Sequence, residues 1–117
     1  MRRTEIKEIV ASVAFIWVDG KGTERPVTGI IGKPYQVGGS HWSCPYVLEG
    51  ALEQGQDVGG GDSIQALSLA LYGLYHDLLR MLGDGGRLLD PNTRQPFDLV
   101  TLKATFSRST SQFQAVS

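Results

Sequence analysis

The fold is decided by residues 62–82, which read DSIQALSLALYGLYHDLLRML. At about 100° per residue, the apolar side chains of this stretch recur with the i, i+3, i+4, i+7 spacing of a helix that has one buried face. The spacing predicts a long helix, and the residues of its predicted buried face are Ile64, Leu67, Leu71, Leu74, Tyr75, Leu78 and Leu82.

Both ends of this helix carry the residue types that helix ends require. Asp62 is a good N-cap, because its carboxylate can accept hydrogen bonds from backbone N–H groups that have no partner in the first turn. Gln65 can reach back in the same way, so the two residues predict a capping box. Gly83 follows the last apolar residue and is predicted to end the helix in the left-handed conformation.

The other side of the helix is unusually apolar near its N-terminus. Small and apolar residues stand there instead of the charged ones that are typical of a solvated face. We predict that four of them bind a partner, namely Ala66, Leu69, Tyr72 and Gly73. The C-terminal tail and a second copy of the chain are both candidates for covering this side.

The residues before the helix predict three antiparallel strands. Residues 8–18, 25–32 and 41–49 are rich in β-branched and aromatic side chains, which favour strands. Residues 19–22 read DGKG and predict a turn between the first two strands. The glycine-rich residues 50–61 are interpreted as a connection to the helix.

The residues after the helix are less regular. Residues 87–89 predict a short strand, and weak alternation of apolar side chains predicts another over residues 99–106. Residues 107–117 are polar and are interpreted as a mobile tail. A length of 117 residues predicts one domain, with its core at residues 8–90. The predicted fold class is α+β, an antiparallel meander of three to four strands with the long helix packed across one face.

The composition is that of an ordinary soluble globular protein. The hydrophobic fraction is 41%, the charged fraction is 20% and the formal net charge is −1. Basic residues are spread along the chain, which argues against nucleic acid as a partner. No apolar run approaches the ~20 residues that a membrane-spanning helix needs. With Cys44 as the single cysteine, an internal disulfide is impossible, and we expect a cytoplasmic protein.

Four short motifs together resemble a family of small uncharacterised bacterial proteins. They are Asp19-Gly20, Ile31-Gly32-Lys33-Pro34, Cys44-Pro45-Tyr46 and the helix opening Asp62-Ser63-x-Gln65-Ala66-Leu67-x-Leu69-Ala70-Leu71. The resemblance spans residues 8–90. Because the family is a domain of unknown function, it implies the order of strands before helix and a bacterial origin, but no catalytic residues. The helix opening is also similar, more loosely, to immunity proteins of bacterial toxin systems.

The sequence predicts no catalytic, metal or cofactor site. Cys44 and His76 could form a thiolate–imidazole pair, but Cys44 shares a strand face with Trp42 and Tyr46, which is typical of a buried, unreactive thiol. Neither histidine has a metal-ligand spacing. These observations and the surplus apolar surface favour a non-enzymatic protein-interaction module, either an immunity-type inhibitor or an accessory subunit. Its expected partner is another protein or itself, as a homodimer.

The alternative hypothesis is a small-molecule-binding protein or an enzyme. Its site would lie between the predicted loop of residues 35–41, which has Gly38-Gly39 at its tip, the third strand and the start of the helix. The candidate ligand-binding residues are Tyr35, His41, Asp62 and Gln65. An enclosed pocket that holds several polar groups at this place would favour the alternative.

Overall fold

The computed structural model describes residues 6–106 and, within them, all side chains except those of residues 52–54, 99, 100 and 105. The elements of this part of the chain are β1 Ile9–Val18, β2 Glu24–Gly32, β3 Tyr35–Gly38, β4 His41–Glu49, β5 Leu52–Gly60, α1 Ser63–Gly83, β6 Arg87–Leu89 and α2 Leu99–Phe106. The predicted α+β class, with an antiparallel sheet and one long helix, is confirmed. The predicted number of strands was too low, and the predicted tail lies outside the described residues.

Strand β4 is the centre of the sheet. Along one edge it pairs with β5, and along the other it pairs with β3 near its start and with β2 near its end. Strand β2 runs into β3 across Lys33 and Pro34, and a proline at this junction interrupts the backbone hydrogen bonding of a strand. Strand β1 pairs with the far edge of β2 along its whole length, and β6 pairs with the end of β1.

Two of these strands differ from the prediction. Strand β5 occupies residues that we interpreted as a glycine-rich connection, and β3 occupies residues that we expected to form a loop. Glycine is depleted in strands because it loses much conformational freedom and offers no side chain to pack. Here the ladder to β4 supplies hydrogen bonds for the backbone of both segments, so tertiary pairing outweighs local preference.

Residues 99–106 form a helix, so the strand predicted there is wrong. Asp98 starts this helix, because its carboxylate accepts a hydrogen bond from the backbone N–H of Thr101 at 2.8 Å. The side chain of Leu102 is fully buried in the core. The weak alternation of apolar residues was therefore misleading, and the capping aspartate was the informative signal.

The N-terminal end of α1 matches its prediction closely. The Asp62 carboxylate accepts from the backbone N–H of Gln65 at 2.7 Å, and the Gln65 side chain accepts from the N–H of Gly61 at 2.6 Å. At the other end the prediction is wrong in detail: Gly83 is still helical, and the positive φ of 81° belongs to Gly85. The helix length was predicted correctly because the caps and the apolar spacing agree with each other.

The buried face of α1 is rotated from the predicted one. Its buried residues are Ala66, Ala70, Leu74, Asp77, Leu78 and Met81. By contrast Ile64 is 75% exposed. Small residues let the helix approach the sheet closely: a Cβ atom on Gly73 would lie 2.6 Å from the hydroxyl oxygen of Tyr46. The face with the small side chains therefore packs on β4 and β5, and several larger side chains lie on its flanks.

Candidate functional site

The outward side of α1 carries large apolar side chains in its N-terminal half. Ile64, Leu69 and Tyr72 are 75%, 42% and 61% exposed, and we call these three residues the α1 patch. Residues 63–76 contain no Asp, Glu, Lys or Arg. A solvated helix face normally carries charged residues, so this uncharged apolar surface is unusual for a helix that faces water.

An aromatic cluster borders the α1 patch on its C-terminal side. The ring of Tyr72 meets the ring of His76 edge-to-face, with centroids 4.2 Å apart. Tyr75 lies next to His76, with centroids 5.9 Å apart, and next to Phe106 of α2, with centroids 5.5 Å apart. Such contacts restrict the rotamers of the side chains involved, so less conformational entropy is lost if a partner binds to Tyr72.

Two of the four predicted partner-binding residues lie on the patch, and two do not. Leu69 and Tyr72 are exposed as expected. Ala66 is fully buried, and Gly73 lies directly against Tyr46 of β4. The expectation that Ala66 and Gly73 lie on the outward side is therefore wrong, because the small residues of the helix are the ones that allow close packing on the sheet.

A polar cluster with a buried tyrosine and a buried aspartate fixes α1 on β4. The hydroxyl of Tyr46 hydrogen-bonds the carboxylate of Asp77, which also forms an ion pair with Arg80. Burial raises the pKa of Tyr46, and the nearby Asp77 carboxylate raises it further. Sequence reasoning missed this cluster. The available signal was the position of Asp77 between the buried Leu74 and Leu78.

A second tyrosine–aspartate pair lies on the opposite face of the sheet. Tyr35 pairs with Ser43 across the strands and hydrogen-bonds both Ser43 and Asp57. Successive side chains of a strand point to opposite faces. Because the neighbouring residue Cys44 is buried beneath α1, Ser43 and Tyr35 lie on the face away from the helix. Burial raises the pKa of Tyr35, and Asp57 adds to this effect.

The structure does not bring the four predicted ligand-binding residues together. Tyr35 lies on the far face of the sheet, whereas the polar groups of Asp62 and Gln65 are occupied in capping α1. His41 is exposed at the first position of β4. A binding role for these residues remains a prediction, but they do not form one assembled site.

Among the described residues, two apolar grooves lie elsewhere on the surface. One has a volume of about 210 Å³ and runs between β1, β2, α1 and the end of α2; it is lined by Ala11, Ser12, Val13, Gly29, Ile31, Leu71, Leu74 and Phe106. The other has a volume of about 510 Å³ beside the C-terminal end of α1; its lining includes Leu79, Leu82, Leu88 and Phe97. Neither groove includes Tyr35, His41, Asp62 or Gln65.

Cys44 and His76 do not form a catalytic pair, because one side chain is buried beneath α1 and the other is exposed to solvent. The Cys44 thiol is fully buried and donates to the backbone carbonyl of Gly32 at 3.3 Å, and burial raises its pKa. His76 is on the exposed side of α1. Among the side chains of residues 6–106 that are described, no three His, Cys, Asp or Glu residues are grouped as metal ligands.

Comparison with known proteins identifies a family whose function is unknown. No helix in the described part of the chain combines the length and hydropathy that membrane crossing requires. No curated protein and no solved structure matches the chain. The family model for a domain of unknown function, DUF6968, matches residues 16–95, which include β2 to β6, α1 and the end of β1. The chain therefore belongs to the DUF6968 family.

Proposed function

We propose that this protein is a protein-interaction module that binds another protein through the α1 patch. The observation that carries this proposal is the exposure of Ile64, Leu69 and Tyr72 on a helix side that has no charged residue over residues 63–76. Burying such a surface against an apolar partner removes nonpolar area from water and leaves no charge unpaired.

The chemistry of the patch fits a binding anchor. Tyrosine is enriched among the residues that dominate binding energy, because it combines a large ring with one polar group and has few rotatable bonds. Tyr72 is 61% exposed while its ring is ordered by His76. Leu69 lies three residues before it, on the same outward side. A partner with an apolar groove fits these two side chains.

The inner face of α1 supports this role by holding the helix in place. Tyr46 and Asp77 form a buried pair between α1 and β4, and Asp77 also pairs with the exposed Arg80. A helix fixed at its inner face presents its outer side chains in one arrangement, which lowers the entropic cost of binding. The patch is thus rigid in its backbone and apolar on its surface.

A photocrosslinking experiment in the native host tests the proposal. Tyr72 is replaced by a photoreactive phenylalanine analogue, and the same analogue at the exposed Lys21 of the β1–β2 turn is the control. We expect a crosslinked product with a different protein from position 72 but not from position 21. Adding Leu69→Asp to the first variant should reduce that product, because a charge in the patch must then be desolvated.

The outcomes separate the proposal from its competitors. Equal crosslinking from positions 72 and 21 would contradict it, as would products that contain only a second copy of the chain. Two finer roles are distinguished once the partner is purified. An immunity-type inhibitor lowers the activity of its partner, and Tyr72→Asp relieves that inhibition, whereas an accessory subunit leaves the activity intact and remains bound.

A further inference from the structure

We propose that two copies of this chain associate through the free edge of β1, residues 9–14, by forming an antiparallel pair about a twofold axis. This edge is a different surface from the α1 patch, and the proposal does not depend on the function proposed above. The dimer would join the two sheets into one continuous sheet.

Half of β1 has an unpaired edge. Strand β2 covers one edge of β1 from Ile9 to Val18. On the other edge, β6 pairs only with Ile16, Trp17 and Val18. Over residues 9–14, no strand in the described part of the chain occupies that edge. Alternate backbone N–H and C=O groups there face outward, as they do on any strand edge that can pair with another chain.

The free edge lacks most of the features by which proteins prevent such pairing. Residues 9–14 read IVASVA, without a charged residue, proline or glycine, and Ile9 and Val10 are 59% and 51% exposed. Charged side chains, prolines and bulges are the usual protection of an edge. A bulge does occur at Val10, but it leaves the regular stretch from Ala11 to Ala14 open.

The other edges of the sheet are better protected. Strand β5 contains Asp57 and the glycines Gly55, Gly59 and Gly60, all of which disfavour regular pairing with a further strand. Strands β3 and β6 are only four and three residues long, and β6 is already bridged to Pro96. Among the described strands, β1 therefore has the edge that is most open to pairing with another chain.

A second copy of the chain is the partner that suits this edge. A twofold axis maps the free stretch onto itself, so a residue at the axis lies next to its own copy, and each other residue faces one that lies equally far on the other side of the axis. A charged residue near the axis would meet a like charge, and this stretch has none. The axis lies at the centre of the paired stretch. That centre is at or next to Ser12, whether the pairing begins at the bulged Val10 or at Ala11.

The groove beside the edge provides the rest of the interface. Six residues of strand extend only about 20 Å, which is less contact than a stable dimer normally buries. The groove of about 210 Å³ adjoins the edge at Ala11, Ser12 and Val13 and is lined on the helix side by Leu71 and Leu74. It offers the apolar side chains at the start of the partner's β1 a surface on which to pack.

Solution mass by light scattering, at a low and a high concentration, tests the proposal with three chains. The wild type is expected to approach twice the 12.7 kDa of one chain at the high concentration. Ser12→Lys is expected to weaken the dimer at least about tenfold, because two like charges then meet at the axis. Val37→Lys is the matched control, since Val37 is 62% exposed on the short edge strand β3; it should remain dimeric.

A mixture of Ser12→Lys and Ser12→Glu chains is expected to restore the dimer, because opposite charges then meet near the axis. This rescue would also show that both variants fold. A wild type that keeps the mass of one chain at both concentrations overturns the proposal. So does a Ser12→Lys chain that stays as dimeric as Val37→Lys, or a dimer that is lost in Tyr72→Asp, which would place the contact on the α1 patch.

Discussion

The two tyrosine–aspartate pairs of this protein have the same chemistry in opposite surroundings. Tyr46 and Asp77 meet between β4 and α1, where each is only 7% exposed. Tyr35 and Asp57 meet on the other face of the sheet, where Tyr35 is 46% exposed. In both pairs burial is the largest single cause of the raised tyrosine pKa, and the carboxylate raises it further through its charge and a hydrogen bond.

The difference shows that the burial of each pair, not its chemistry, decides how much the contact contributes to the stability of the fold. Water can replace either member of the exposed pair, so losing one member has a small net cost. In the buried pair no water takes the place of a lost partner, and the group left behind keeps its full desolvation cost. The inner pair therefore holds the helix on the sheet, while the outer pair only supports an exposed surface.

The largest expected effect comes from removing the carboxylate of the buried pair. Asp77→Ala should lower the free energy of unfolding by about 2–4 kcal/mol, because it leaves the Tyr46 hydroxyl buried without a partner and opens a gap under the helix. Asp57→Ala, the matched change on the exposed face, should cost less than about 1 kcal/mol. Urea unfolding of both variants measures the two values. Similar losses would show that burial does not separate the pairs.

A smaller effect is expected from the glycine that faces the buried pair. A Cβ atom on Gly73 would lie 2.6 Å from the Tyr46 hydroxyl oxygen, so Gly73→Ala must displace the ring or the helix. The strain should exceed the gain in helix propensity of about 1 kcal/mol, for a net loss of about 1–2 kcal/mol.

Gly83→Ala is the control for that change. A Cβ atom on Gly83 would meet nothing within 4 Å, so the substitution should be neutral or slightly stabilising. In a double-mutant cycle, Tyr46→Phe should reduce the cost of Gly73→Ala, because it removes the oxygen that collides. Purely additive costs would place the strain elsewhere.

The same region shows where sequence reasoning succeeded and where it stopped. The limits of α1 followed from Asp62, Gln65 and the apolar spacing, since caps and periodicity are local properties. The face that packs on the sheet did not follow. Counting large apolar side chains favoured the side of Ile64 and Leu71, whereas the close contact with Tyr46 selects the side of Gly73.

The strands likewise divide into those that local sequence preferences predict and those that depend on long-range pairing. Strands β1, β2 and β4 are rich in β-branched and aromatic residues, and each was predicted near its observed position. Strand β5 is held by its pairing with β4 across a tight turn. Its own glycine-rich sequence does not predict a strand. Of the candidate site, Leu69 and Tyr72 were predicted to lie on the outward side, because an uncharged helix surface is visible in the sequence itself.

The smallest expected effect is the response of the two tyrosines to alkaline pH. Burial raises the pKa of Tyr46 above its ordinary value of 10.0, so the folded chain keeps a proton that the unfolded chain releases. This contribution to stability is fully present below pH 10 and is lost as the pH rises through the folded-state pKa. Tyr35 has the same sign of shift, but solvent screens its pair more strongly.

Unfolding in urea at several pH values, beginning just below the ordinary tyrosine pKa, measures this response. We expect the free energy of unfolding to fall with pH in the wild type and to fall less steeply in Tyr46→Phe. Tyr35→Phe should change the slope less, since its environment differs less from water. If Tyr35→Phe flattened the curve more than Tyr46→Phe, the exposed pair would be the stronger one, and the contrast between the two faces of the sheet would be reversed.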